Sequence, residues 1–188
     1  MQAEIDTLKD TIMEFADLIE TEGVRVRVGL VEFRDRLNKE EHRVLSFNGE
    51  IFTKDPAVFR QEVSKLQAIG GGDEPESSLD AILLALRQPF SAQSSKVIVL
   101  VTDAPPHIPD IETQNIDQVT QAINQANIEQ LYLVYPTQDP SSQIYLKLLE
   151  GSKGLAFELG KGNDFNTRAE NFKRTLKSLG KTITQSTH

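Results

Sequence analysis

Val97-Ile98-Val99-Leu100-Val101-Thr102-Asp103-Ala104-Pro105-Pro106-His107 is the stretch that decides the fold. Residues 97–101 are an unbroken apolar run, β-branched at every position but Leu100. Such a run fits a parallel strand covered on both faces better than a strand with one wet face. It ends at Thr102-Asp103, and two prolines follow almost at once, so the chain leaves the strand into a loop. Asp103 therefore stands at the carboxyl rim of a sheet, where open α/β sheets bind ligands.

Working outward, the same alternation repeats. Downstream, a helical pattern near 116–127 precedes an apolar strand at Leu131–Tyr135, and a helical pattern near 141–150 precedes a short strand at Leu155–Leu159. A final helix over about 166–179 carries Phe172, Leu176 and Leu179. Upstream, Ser77–Arg87 reads as a helix with Leu79, Ile82, Leu83 and Leu86 inward. Before it, Asp55-Pro56 is an N-cap with proline at the first helical position, and Phe59, Val63 and Leu66 give that helix a buried stripe. Gly70-Gly71-Gly72 is expected to stop it. Arg43–Phe47 reads as a strand, antiparallel to one at 24–33, since too few residues separate them for a crossover helix. Residues 2–22 place Ile5, Leu8, Ile12, Phe15 and Ile19 on one helical face.

The pattern predicts an α/β, Rossmann-like, doubly wound fold. Its sheet is mainly parallel with one antiparallel edge strand, and helices cover both faces. One domain over 1–180 and a polar tail over 181–188 account for the chain. The order opens with a helix, however, where a doubly wound sheet usually opens with its central strand.

Composition narrows the function. The 188 residues carry a formal net charge of -8, which argues against nucleic acid as partner, because phosphate binding needs a basic face. No run approaches the roughly 20 apolar residues of a membrane span, and no signal-peptide pattern opens the sequence. The absence of cysteine excludes disulfides and thiolate metal sites and leaves the compartment undetermined.

Two loops hold the unusual polar residues: the one at Asp103, and Gly70-Gly71-Gly72-Asp73-Glu74-Pro75-Glu76-Ser77 at a helix start. Asp73 and Glu76 have a structural reading, as a cap and as a charge favoured by the helix dipole. They also have a functional one, in which Glu76 and Asp103 face a hard cation that takes oxygen ligands. Spacing alone leaves both open. An enzyme is the rival class. The glycine run follows a helix and no Lys-Ser or Lys-Thr comes after it, unlike a P-loop. His107 and Asp103 are of catalytic type, but no G-x-S-x-G elbow and no cysteine supplies a nucleophile, so a hydrolase depends on a serine within reach of His107.

The segment Asp73-Glu74-Pro75-Glu76-Ser77-Ser78-Leu79-Asp80-Ala81-Ile82 resembles the D-x-P-E-x-x-φ-D-A-I segment of integrin beta I-like domains, φ being apolar. Thr102-Asp103-Ala104-Pro105-Pro106-His107-Ile108 resembles their T-D-A-x-x-H-I segment, and Val28–Arg36 is similar to their second strand with its acidic-basic ending. These domains belong to the von Willebrand factor type A group. The resemblance implies a non-enzymatic protein-binding or adhesion module with a metal-ion-dependent adhesion site for Mg2+ or Ca2+. It implies Glu76 as a ligand, Asp103 as a carboxylate that approaches the metal through water, and Asp73 as a ligand of a neighbouring site to which Pro75 adds its carbonyl. A protein partner would fill the metal's open position with an acidic side chain.

The family's first motif, D-x-S-x-S, closes the central strand, and here Met1 leads directly into the helix. The expectation is therefore a fold that lacks its first central strand, with a partial site of weak affinity. The alternative is a scaffold domain that binds no metal.

Overall fold

A computed structural model describes residues 26–66 and 75–159. In chain order the elements are β1 (Val31–Glu32), a 3-10 helix (Arg36–Asn38), β2 (Arg43–Val44), α1 (Pro56–Ser64), α2 (Ser78–Leu86) and β3 (Val97–Val101). They continue with α3 (Ile116–Gln125), β4 (Gln130–Tyr135), a 3-10 helix (Ser142–Leu149) and β5 (Lys153–Glu158). The helices expected over 2–22 and 166–179, the polar tail, Gly70-Gly71-Gly72 and Asp73 lie outside the described residues. The described residues fall into two compact units, one of 26–30 and 44–66 and the other of 31–43 and 75–159.

In the first unit an antiparallel bridge joins Val28 to Thr53, each donating its N–H to the other's carbonyl, at 2.8 and 2.9 Å. The strand expected over 24–33 is thus broken, over its described part, into this bridge and the two-residue β1. At Gly29 a Cβ would stand 3.0 Å from the Phe52 ring, which packs directly over the backbone there. The strand expected over Arg43–Phe47 also shortens, because the chain reverses after Phe47. Asn48 and Gly49 take positive φ of 54° and 89°. Phe47 and Glu50 exchange hydrogen bonds of 2.7 and 3.1 Å across them, a two-residue hairpin turn. α1 starts as its sequence predicts, with the Asp55 carboxylate accepting from the Ala57 and Val58 amides, but it stops at Ser64, ahead of the glycines. Phe59, Val63 and Leu66 are buried with Leu45 and Phe47, and the Phe47 and Phe59 rings stack at 5.5 Å.

The second unit holds the three-stranded sheet, ordered β3-β4-β5 and parallel throughout, with Val97 opposite Gln130 and Gln130 opposite Lys153. Leu131, Leu133 and Tyr135 of β4 pack into one core with Ile98 and Leu100 of β3, Leu79 and Ile82 of α2, and Ile116, Val119 and Ile123 of α3. Tyr132 and Val134, which point to the opposite face, are buried as well, so β4 is covered on both sides. In β3, the strand expected to be covered on both faces, Ile98 and Leu100 are buried but Val97, Val99 and Val101 are only partly so. Two further expectations change. Among the described residues β1 and β2 pair only with each other, so there are two sheets where one with an antiparallel edge strand was expected. The segment expected as an α-helix near 141–150 is a 3-10 helix. Ser142, Tyr145 and Leu148 are its buried residues, a strict spacing of three that matches three residues per turn.

Candidate metal-ion site at the loop ends of the parallel sheet

The sheet's carboxyl rim starts with Thr102, whose N–H donates to the Val134 carbonyl at 3.0 Å and extends the β3–β4 ladder by one residue. The Thr102 hydroxyl accepts from the Ala104 amide at 3.3 Å and lies 3.2 Å from the Ala104 carbonyl, which turns the chain sharply. Between them Asp103 is exposed, displayed at the rim as the sequence predicts.

The Glu76 loop is laced to this turn. The Glu76 amide donates to the Pro105 carbonyl and the His107 amide donates to the Glu76 carbonyl, both at 2.9 Å, forming a parallel bridge centred on Pro106. Two loops 27 residues apart in sequence, taking Asp103 minus Glu76, are thereby held side by side. Glu76 is half-buried, and its Oε2 is sealed from solvent with no hydrogen-bond partner. Burial, then the negative charges of Asp35, Asp103 and Glu40, push its carboxyl up to about 7. Each of those costs falls on the ionised form, and each would be relieved by a bound positive charge.

A largely buried polar layer supports the two loops. Ser77 precedes α2 without capping it. Its hydroxyl instead donates to Asp110 Oδ1 at 3.1 Å and accepts from the Arg36 amide at 2.9 Å. Asp80, with no exposed surface, accepts from Arg36 Nη1 and the amides of Glu112 and Thr113, all at 2.9 Å. The Ser78 hydroxyl meets the Tyr145 phenol at 2.6 Å, and the phenol also donates to the Ala104 carbonyl at 3.0 Å. Burial pushes the Tyr145 hydroxyl up, which keeps it protonated and able to donate.

Of the residues the sequence singles out, Glu76 and Asp103 are brought together and Asp73 lies outside the described residues. The donor set is all oxygen, and the orphaned Glu76 oxygen fits a hard cation. The set is also sparse, since no group of three or more metal-capable side chains occurs among the described residues. The residue that spacing missed is Asp35, which lies among the acids acting on Glu76 and faces His107, Oδ1 to Nε2 at 3.1 Å. His107 is therefore committed to Asp35 and not to Asp103. The Ser77 and Ser78 hydroxyls have the partners given above, so no hydrogen bond from a serine to His107 assembles a hydrolase among the described residues.

A family profile described as von Willebrand factor A domain matches residues 43–161. The mouse protein named von Willebrand factor A domain-containing protein 7 is 34% identical over 111 residues, which are 58% of this chain and 11% of that protein. The human protein of the same name is 40% identical over 74 residues, 39% of this chain and 8% of that protein. The chain thus spans only a small part of these relatives' length. With the profile covering more than half of its residues, the chain belongs to the von Willebrand factor A domain family.

Proposed function

We propose that this chain is a protein-binding module of the integrin beta I-like type, whose Glu76 and Asp103 hold Mg2+ or Ca2+ with Asp73 contributing to a neighbouring site. Family members generally mediate protein interaction and adhesion and are typically not enzymes. The observation that carries the metal reading is Glu76, whose Oε2 is buried without a donor and whose carboxyl is raised to about 7 by burial and by the nearby acids Asp35, Asp103 and Glu40. A bound divalent ion would supply an open coordination position for a carboxylate of the partner. The chain's own residues do the rest. Glu76 and Asp103 supply oxygen ligands, and the paired backbone of residues 76 and 105–107 fixes their separation. Ile108 and Ile111, on the loop that follows Asp103, and Leu37, in the 3-10 helix Arg36–Asn38, are exposed aliphatic side chains suited to contact a partner.

No D-x-S-x-S run occurs in the 188 residues, so serine hydroxyl ligands of the family's first motif are not available within them. Water would complete the shell, and the dissociation constant should fall near the weak end for oxygen sites, about 10⁻⁴–10⁻³ M. The test is calorimetric titration of the chain with MgCl2 and with CaCl2, alongside Glu76→Gln. Saturable binding that disappears in the variant is the expected result. Heats that are absent, or unchanged by the substitution, would leave the interaction module without a metal and favour the scaffold.

A further inference from the structure

We propose that His107 and Asp35 form a positioning pair that sets the geometry of the Glu76 and Asp103 loops. The inference deepens the reading above and rests on it for its cation part alone.

The argument begins with donors. Pro105 and Pro106 have no N–H, so in the turn after Asp103 the His107 amide is the first beyond Ala104 that is able to donate. It donates to the Glu76 carbonyl at 2.9 Å and closes the bridge that the Glu76 amide opens on Pro105. Whatever fixes His107 therefore fixes the backbone of Glu76. The ring does the fixing. Its Nε2 lies 3.1 Å from Asp35 Oδ1, and because an ionised carboxylate only accepts, the ring nitrogen must carry the proton. Both side chains are largely withdrawn from water, at 15% and 4% exposure.

Asp35 is itself immobilised. Its Oδ1 also accepts from the Leu37 amide at 2.9 Å, its Oδ2 accepts from the Asn38 side chain at 2.6 Å, and its carbonyl accepts from the amides of Asn38 and Glu40. It caps the 3-10 helix Arg36–Asn38 from the segment that follows β1. This side-chain hydrogen bond ties segment 35–40 to loop 103–107, and the backbone pairing of Glu76 with Pro105 and His107 carries the tie on to residues 75–77. Supporting hydrogen bonds of this kind, one shell out from metal ligands, tune affinity because the ligands cannot hold their own orientation.

The experiment compares His107→Ala, His107→Gln and Val119→Ala in the 188-residue chain. Glutamine keeps an N–H donor at similar reach. Val119 is fully buried in the core of the sheet and serves as the control for lost stability. Two quantities are read: amide hydrogen exchange at residues 76 and 107 relative to β4, and Mn2+ binding followed by its electron paramagnetic resonance signal.

The expected result is about tenfold faster exchange at residues 76 and 107 in His107→Ala, with Mn2+ affinity reduced roughly tenfold. His107→Gln should restore most of both, and Val119→Ala should change neither ratio. Unchanged exchange in His107→Ala overturns the proposal. Faster exchange with unaltered Mn2+ affinity overturns the link to the cation. A parent chain that binds no Mn2+ overturns the metal reading and the cation part with it, while the exchange result still decides whether the pair positions the loop.

Discussion

Glu76 makes the residue scale accessible to measurement, because its ionisation is opposed in the folded state by burial first and by Asp35, Asp103 and Glu40 next. Its carboxyl titrates near 7 when folded, against an ordinary 4.5. The folded state therefore holds the proton more tightly than the unfolded state does. The associated stability is fully present below pH 4.5 and is lost as pH rises through about 7. The side chain is only half-buried, so solvent screening trims the effect to roughly 1–2 kcal/mol. Urea unfolding at pH 5 and pH 8 should show that loss, and Glu76→Gln, which has no charge to acquire, should reduce it. Equal pH dependence in the two proteins would mean that Glu76 does not carry it. The sequence displayed the carboxylate but not its energetics, since three of the charges and contacts acting on it come from residues 35, 40 and 103, distant along the chain.

Elements show the same division between what neighbours in sequence decide and what distant contacts decide. Val97–Val101 and Leu131–Tyr135 were legible as strands because each is a run of consecutive apolar residues, although Val97, Val99 and Val101 are only partly buried where cover on both faces was expected. Asp55-Pro56 was legible as a helix start for the same local reason. The Asn48-Gly49 hairpin carried a local signal that the strand pattern around it obscured. Ser77, by contrast, looks like a cap and instead bonds Asp110, 33 residues away, a partner that no local pattern specifies. Gly154 is a further case. It stands opposite Leu131 in the β4–β5 ladder, and a Cβ there would lie 1.8 Å from the Leu131 carbonyl oxygen, a backbone atom that cannot swing away. Gly154→Ala should cost about 3 kcal/mol or more and loosen β5 from β4. Gly49→Ala, strained at φ +89° but with open space around it, should cost nearer 1 kcal/mol. Denaturant unfolding of both variants checks the order, and similar costs would show that β5 shifts to admit the methyl group.

At the scale of the whole molecule, a net charge of -8 means that any cation relieves some self-repulsion, so stabilisation by magnesium is not by itself a sign of a site. The two effects separate by their dependence on concentration and on one residue. Screening depends on ionic strength and is matched by NaCl, whereas site binding follows mass action. With a dissociation constant of about 1 mM, about 10 mM MgCl2 should stabilise the folded chain by roughly 1.4 kcal/mol. For a chain of 188 residues that corresponds to a rise of about 3–5 °C in the unfolding midpoint. NaCl at equal ionic strength should give a clearly smaller rise, and Glu76→Gln should respond to the two salts alike. If the parent chain also responds alike, its acidity acts as a diffuse field. The loop carboxylates would then be grouped by the fold without being a cation site, and the binding surface would rest on the aliphatic side chains of Leu37, Ile108 and Ile111.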